Sequence, residues 1–167
     1  MSVSGTLKVS ANFKNSATAD FESAVSAIDL AIALSFTNGN GSGNADRIWK
    51  DTRTLAASAT ENLDFSGSLT DIYGATMAFA DIRAIIVTAS SANTNNVQVQ
   101  RASTNGVPLF MAASDGVEVR PNGVFVLACN DATGYVVTAS TGDLLTITNS
   151  AGSTSVTYNI VVVGSSV

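Results

Sequence analysis

The stretch "IDLAIALSF" (residues 28–36) is the clearest indication of the fold. Apolar side chains stand at every second position, in Ile28, Leu30, Ile32, Leu34 and Phe36. Alternation with a period of two predicts a β-strand with one buried face. A helix is the alternative, because apolar residues also fall at helical spacing in Phe21, Val25, Ile28 and Ile32. We favour a strand for residues 28–36 and leave residues 18–27 open between strand and helix.

Short apolar or alternating segments follow one another along the rest of the chain. "TLKVSANF" (6–13) predicts an early strand, and "LTDIYGA" (69–75) predicts a turn or a single helical turn ended by Gly74. Ten further segments predict strands: "RIWKDTRTLAA", "ENLDFSG", "FADIRAIIVTA", "NVQVQRA", "VPLFMA", "GVEVR", "GVFVLAC", "GYVVTAS", "DLLTITN" and "SVTYNIVVVG". Segments rich in Gly, Asn, Asp and Ser separate them, and no crossover helices are indicated. The pattern predicts an all-β protein, an antiparallel β-sandwich or barrel with at most a short helical turn.

Composition bounds the class of protein. The chain has 167 residues, of which 46% are hydrophobic and 13% charged, so we expect one folded domain over residues 1–167. A net charge of −5 gives no basic field for nucleic-acid phosphates, and we expect no nucleic-acid partner. No apolar run approaches the roughly 18 residues of a membrane span, and the start lacks an export-signal pattern. We therefore expect synthesis in the cytoplasm and no membrane partner.

The chemistry of the side chains argues against catalysis. The chain has no histidine and a single cysteine, which excludes Ser-His-Asp and Cys-His nucleophile systems, His-ligated zinc and multi-thiolate metal sites. Cys129 lies in an apolar run, and we expect a buried small hydrophobe. No phosphate-binding glycine motif occurs. We predict no catalytic, cofactor-binding or metal-binding residues, and no cofactor.

The acidic residues admit one alternative to that prediction. Glycoside hydrolysis needs only two carboxylates, and the pairs that come nearest are Asp64 with Asp71 and Asp115 with Glu118. We favour a structural role, in which acids stabilise turns through side-chain to backbone hydrogen bonds, in Asp71, Asp115, Asp131 and Asp143.

The segment "RIWKDTR" (47–53) combines the only tryptophan with a cluster of charges. One interpretation places Trp49 at a subunit edge, where a small basic patch contacts a partner; the predicted partner-binding residues are Arg47, Trp49, Lys50 and Arg53. The other interpretation, which we favour, makes Trp49 a core anchor and leaves the charges in water.

Two longer runs, "IWKDTRTLAASATENLDFSGSLTDIYGATMAFADIRAIIV" and "GVFVLACNDATGYVVTASTGDLLTITNSAGSTSVTYNIVVVG", carry a family resemblance. In the order and phrasing of their strands, roughly over residues 47–164, they resemble small structural proteins of tailed bacteriophages. The resemblance implies a virion component, a head decoration or cement protein with a jelly-roll sandwich. Residues 1–46 match less well and leave room for an N-terminal arm or a swapped strand.

The resemblance also implies where such a protein acts. Its expected partner is the major capsid protein, at subunit junctions on the capsid exterior. Self-association into a dimer or trimer would strengthen binding to the capsid through multivalency. A tail or fibre-tip module that binds host-surface glycan is the alternative. Sugar sites usually present exposed aromatic rings, and the candidates are Trp49, Tyr73, Tyr135 and Tyr158. A minor hydrolase is a third and weaker hypothesis.

Overall fold

The computed structural model describes residues 2–18 and 20–166, and within them all regular structure is β-strand. The prediction of an all-β protein is confirmed. The strands are β1 (Gly5–Thr18), β2 (Ser23–Asn38), β3 (Asn44–Ala45), β4 (Arg47–Leu55), β5 (Thr60–Asp64), β6 (Leu69–Thr70), β7 (Thr76–Met77), β8 (Asp81–Ala89), β9 (Val97–Arg101), β10 (Gly116–Val119), β11 (Val124–Ala128), β12 (Tyr135–Val136), β13 (Leu144–Asn149) and β14 (Val156–Ser165). The described residues contain no helix long and apolar enough to cross a bilayer.

Two antiparallel sheets form the body of the molecule. One has the strand order β11-β8-β14-β4, with the short β12 also paired to β8, and the other has the order β10-β9-β13-β5. Their facing sides meet in one apolar core, which includes Ile85, Val87, Ile160 and Val162 from the first sheet and Leu63, Val97, Val99, Leu145 and Ile147 from the second. This arrangement is a β-sandwich, as the short alternating segments predicted.

The two central strands of the first sheet are apolar on both faces. The outward side chains of β8 and β14 include Ile86 and Val163, which are only partly exposed. A second, smaller core lies on this side and consists of Val3, Phe36 and Ala45 packed with Leu7, Leu34 and Val163. The near-continuous apolar sequence of β14 therefore reflects two layers, one on each side of the sheet.

Strands β1 and β2 form a long antiparallel hairpin, which we call the arm (residues 5–38). Their pairing runs without a break from Gly5 opposite Phe36 to Thr18 opposite Ser23, so residues 23–27 are strand. The strand prediction for residues 28–36 is confirmed. The prediction of one buried face holds at Phe36, which is 5% exposed, and is wrong at Ile28, Leu30 and Ile32, which are between 49% and 61% exposed. Alternation shows which side chains share a face, but it does not show whether anything covers that face.

One predicted strand is absent for a clear reason. "VPLFMA" (107–112) is irregular, because Pro108 lacks a backbone donor and the guanidinium of Arg101 binds the carbonyls of Gly106, Phe110 and Met111. The segment is anchored by a side chain in place of a neighbouring strand.

Candidate partner-binding surfaces

Trp49 lies in the sandwich core and not at a partner edge. It is 3% exposed, its indole Nε1 donates to the carbonyl of Thr70 at 3.1 Å, and the guanidinium of Arg53 lies 5.7 Å from the ring centroid. A buried indole usually finds a hydrogen-bond partner of this kind. Trp49 is therefore a core residue, as the core-anchor interpretation predicted, and its side chain is not available to a partner at the surface.

The basic side chains of the same strand are largely neutralised by acidic neighbours. Arg47 lies 3.6 Å from the carboxylate of Asp46, and Arg53 forms ion pairs with Glu61 at 2.7 Å and Asp51 at 3.1 Å. Lys50 is exposed, and among residues 2–18 and 20–166 it forms no ion pair within 4.0 Å. The positive field of this strand is consequently small. A partner contact by Arg47, Lys50 and Arg53 stays a prediction.

Next to β4 lies an apolar surface that the sequence analysis did not single out. Ile72 is 73%, Tyr73 is 76% and Ile48 is 41% exposed. Together with Lys50 they border a groove of about 310 Å³ whose floor includes Trp49. We call Ile48, Lys50, Ile72 and Tyr73 the edge surface.

The turn that carries Ile72 and Tyr73 is fixed by its own acid. The carboxylate of Asp71 accepts hydrogen bonds from the backbone N–H groups of Tyr73 and Ala75, both at 2.8 Å, and Gly74 has a φ of 80°. An Asx turn of this type holds the two apolar side chains at the surface. The sequence "DIYG" (71–74) could have indicated this surface, because it places two large apolar residues in a turn between an aspartate and a glycine.

The arm carries the second apolar surface. Five large side chains on one face of the hairpin are between 44% and 68% exposed, and we call them the stripe: Val9, Phe13, Ile28, Leu30 and Ile32. They form cross-strand neighbours, with Val9 opposite Ile32 and Phe13 opposite Ile28. The other face carries mostly small or charged residues, such as Lys8, Ser10, Lys14, Asp29 and Ala31. The ribbon is thus amphipathic; its apolar side is covered at the base, where Leu7 and Leu34 pack with Val163, and is largely exposed from Val9 outward.

The acids act as turn stabilisers, as the sequence analysis favoured. Asp71, Asp115, Asp131 and Asp143 each accept at least one hydrogen bond from a nearby backbone N–H group. Hydrogen bonds from Gly134 and Thr133 also hold the pKa of the Asp131 carboxyl below its ordinary value. Among the described residues, no group of three or more His, Cys, Asp or Glu side chains is placed to hold a metal ion.

Cys129 is half-buried, less completely than expected. Burial raises the pKa of its thiol, and the nearby negative charge of Asp131 raises it further. The thiolate form is therefore disfavoured, as is typical of a structural cysteine.

A partly buried polar network connects the core to β4. The ring of Tyr158 is fully buried, and its hydroxyl donates to Glu61 at 2.7 Å, while Glu61 also pairs with Arg53. Burial, followed by the hydrogen bond to Glu61, raises the pKa of Tyr158 far above its ordinary value. The protonated phenol is therefore the favoured form of Tyr158 in the folded protein.

The raised pKa of Tyr158 predicts a pH dependence of stability. An unfolded tyrosine ionises near pH 10, so its stabilising contribution is complete below that pH and decreases as pH rises toward the folded-state pKa, at up to about 1.4 kcal/mol per pH unit. We expect Tyr158→Phe to remove this slope, and exposed Tyr73→Phe to retain it. Urea unfolding between pH 8 and 11 measures the difference. Equal slopes in all three proteins would contradict the assignment.

No family model, curated protein or solved structure matches the chain. Function is therefore inferred from the two apolar surfaces and from the architecture of the sandwich. Both surfaces are exposed and apolar, as is typical of contacts between macromolecules.

Proposed function

We propose that this protein is a structural component of a tailed-bacteriophage virion. It acts as a decoration or cement protein that binds the outer surface of the assembled head at junctions between major capsid subunits, after synthesis in the host cytoplasm. The observation that carries the proposal is the concentration of exposed apolar side chains in the stripe and the edge surface. A protein that presents two such surfaces on a rigid sandwich is suited to binding neighbours and not to turnover.

The strand order supports the jelly-roll form of the sandwich that this family resemblance implies. The eight sandwich strands in chain order are β4, β5, β8, β9, β10, β11, β13 and β14, and numbered in that order the two sheets read 1-8-3-6 and 2-7-4-5. Placing the first strand beside the eighth and the second beside the seventh is the wrapping expected of a jelly roll. Because one fold serves many functions, this order supports the proposal only together with the surfaces.

The edge surface is the proposed contact with the shell. Tyrosine and large aliphatic side chains at the centre of an interface supply most of its binding energy. The turn held by Asp71 presents Ile72 and Tyr73 already in position, so little conformational freedom is lost on binding. A protein that binds only the assembled shell stabilises it by about 2.7 kcal/mol per site at a free concentration 100-fold above its dissociation constant.

Co-sedimentation tests the proposal. Purified protein is mixed in parallel with expanded shells, procapsids and host envelopes, and we expect retention by expanded shells. Replacing Ile72→Asp together with Tyr73→Ala is expected to weaken that binding at least about 100-fold, since both central side chains are lost.

Met111→Asp is the matched control, because Met111 is 97% exposed and lies in a different loop. It is expected to bind like the unaltered protein. Retention by envelopes alone would contradict the proposal in favour of the glycan-binding alternative. Among the aromatic candidates for that alternative, Trp49 and Tyr158 are buried and Tyr135 is half-buried, which leaves Tyr73 as the exposed ring.

A further inference from the structure

We propose that the stripe is the contact surface for a second copy of this chain, with two arms packed apolar face to apolar face in a two-fold symmetric dimer. This proposal does not rest on the proposed function, because it concerns the protein alone in solution.

The arm is too long to be covered by its own sandwich. A strand of 14 residues spans about 48 Å at roughly 3.4 Å per residue. A domain of about 120 residues has a radius of gyration of roughly 14 Å and a diameter of roughly 35 Å. An isolated two-stranded ribbon is only marginally stable in water. The outer part of the arm therefore needs a neighbouring molecule.

At the base of the arm, an apolar sheet face of the sandwich already packs against the same side of the hairpin that carries the stripe. There Leu7 and Leu34 pack with Val163 of β14, and the next residues, Val9 and Ile32, border a groove of about 240 Å³ closed on the other side by β11. At its base, the arm is thus covered by an apolar sheet face of the sandwich. Farther out along the arm, at Leu30 and Ile28, the surface that would cover the stripe in the same way is another uncharged, apolar β-sheet face.

The stripe carries no charged side chain, which disfavours a charged partner surface. The charged residues of the paired strands, Lys8, Lys14 and Asp29, lie on the face opposite the stripe. A neutral apolar stripe offers no electrostatic complement to a charged surface, but it is complementary to an identical stripe, as an isologous dimer interface requires.

The area that two arms can bury comes close to what a specific dimer needs. Outside its base the arm has ten paired positions, from Val9 opposite Ile32 to Thr18 opposite Ser23, and is about 34 Å long. At a width of about 10 Å this face offers roughly 340 Å² per copy, so two arms together bury roughly 700 Å². A specific interface needs at least about 1,000 Å² in total. The grooves at the arm bases supply the remainder when the two arms run antiparallel, because the outer part of each arm then lies over the base groove of the other copy.

Sedimentation velocity tests the proposal. We expect the unaltered protein to be a dimer at micromolar concentration, and Phe13→Asp or Leu30→Asp to raise the dimer dissociation constant at least about 100-fold. Ala31→Asp is the matched control, since it lies next to Leu30 in β2 but on the opposite face, and a change below about threefold is expected. Urea unfolding followed by Trp49 fluorescence shows that the sandwich of each variant is intact.

Several results would overturn the proposal. One is a monomeric unaltered protein at a concentration of about 100 µM, well above the micromolar range of a specific dimer, and another is a dimer that the stripe variants leave unchanged. A stripe-dependent trimer would overturn the two-fold arrangement. A protein that is monomeric, but whose stripe variants fail to bind expanded shells, would identify the occupant as capsid protein.

Cross-linking provides an independent measurement. In a Cys129→Ser background, Ala11→Cys places a thiol in the middle of the stripe, and Ser10→Cys places one on the other face of the same strand. A short bis-maleimide is expected to link two copies at least tenfold more efficiently through position 11. Equal yields at the two positions would contradict stripe-to-stripe packing.

Discussion

Replacing Asp81 with alanine is expected to lower the free energy of unfolding by about 3–5 kcal/mol, because it leaves a buried guanidinium without its counter-ion. The side chain of Arg83 is 0% exposed and that of Asp81 8% exposed. The pair is bidentate, with Arg83 Nε donating to Asp81 at 2.6 Å and Nη2 donating at 3.1 Å. Ser165 also donates its hydroxyl to the same carboxylate.

The consequences extend to two loops. The guanidinium of Arg83 also donates to four backbone carbonyls, those of Asn40, Gly41, Asp131 and Ala132. These carbonyls belong to the loop that follows the arm and to the loop between β11 and β12. Without Asp81, Arg83 loses the carboxylate that orients it, and both loops lose a common anchor.

Urea unfolding at pH 7, followed by the fluorescence of Trp49, measures the effect. Asp51→Ala is the matched control, because Asp51 also pairs with an arginine at 3.1 Å but is 43% exposed, and its loss is expected to cost at most about 1 kcal/mol. The double variant Asp81→Ala, Arg83→Met is expected to recover part of the loss, since no unpaired charge remains buried. Equal destabilisation by Asp81→Ala and Asp51→Ala would contradict this account.

Trp49→Ala is expected to cost about 3–5 kcal/mol, as is usual when a large core side chain is removed. The substitution empties the space beneath the groove of the edge surface and leaves the carbonyl of Thr70 without its indole donor. Circular dichroism during thermal unfolding measures the change, because the tryptophan probe is lost. Trp49→Phe keeps most of the packing and is expected to cost less than half as much.

A stable, fully folded Trp49→Ala protein that bound expanded shells more weakly would contradict the core placement. It would return Trp49 to the predicted partner-binding group with Arg47, Lys50 and Arg53. Destabilisation with unchanged shell binding under folding conditions supports the core-anchor interpretation.

Much of the architecture was predictable, because alternation of apolar residues is a local property of a strand. The segments that became β4, β8, β9, β13 and β14 were all predicted from their sequence. The failure at "VPLFMA" has a non-local cause, since Arg101 reaches from the end of β9 to bind three carbonyls of that segment. No local pattern contains that information.

The binding surfaces were harder to predict than the strands. The same alternation describes core positions and exposed positions alike, so Leu30 and Ile160 are indistinguishable by pattern, although Leu30 is 51% and Ile160 is 1% exposed. Exposure depends on which other strands lie above the face, and that is decided by topology. For Trp49 the charged sequence neighbours left an edge position open as the alternative, whereas the favoured core-anchor interpretation corresponds to a side chain that is 3% exposed.

The second core also constrains when the arm takes its final orientation. Val3 and Phe36 pack with Val163, and Ser166 donates to the carboxylate of Asp46, a separation of 120 residues. The residues that flank the arm are thus anchored only after residues 163–166 have been synthesised. Neighbouring nascent chains therefore cannot fix the orientation of their arms before residues 163–166 have emerged from the ribosome.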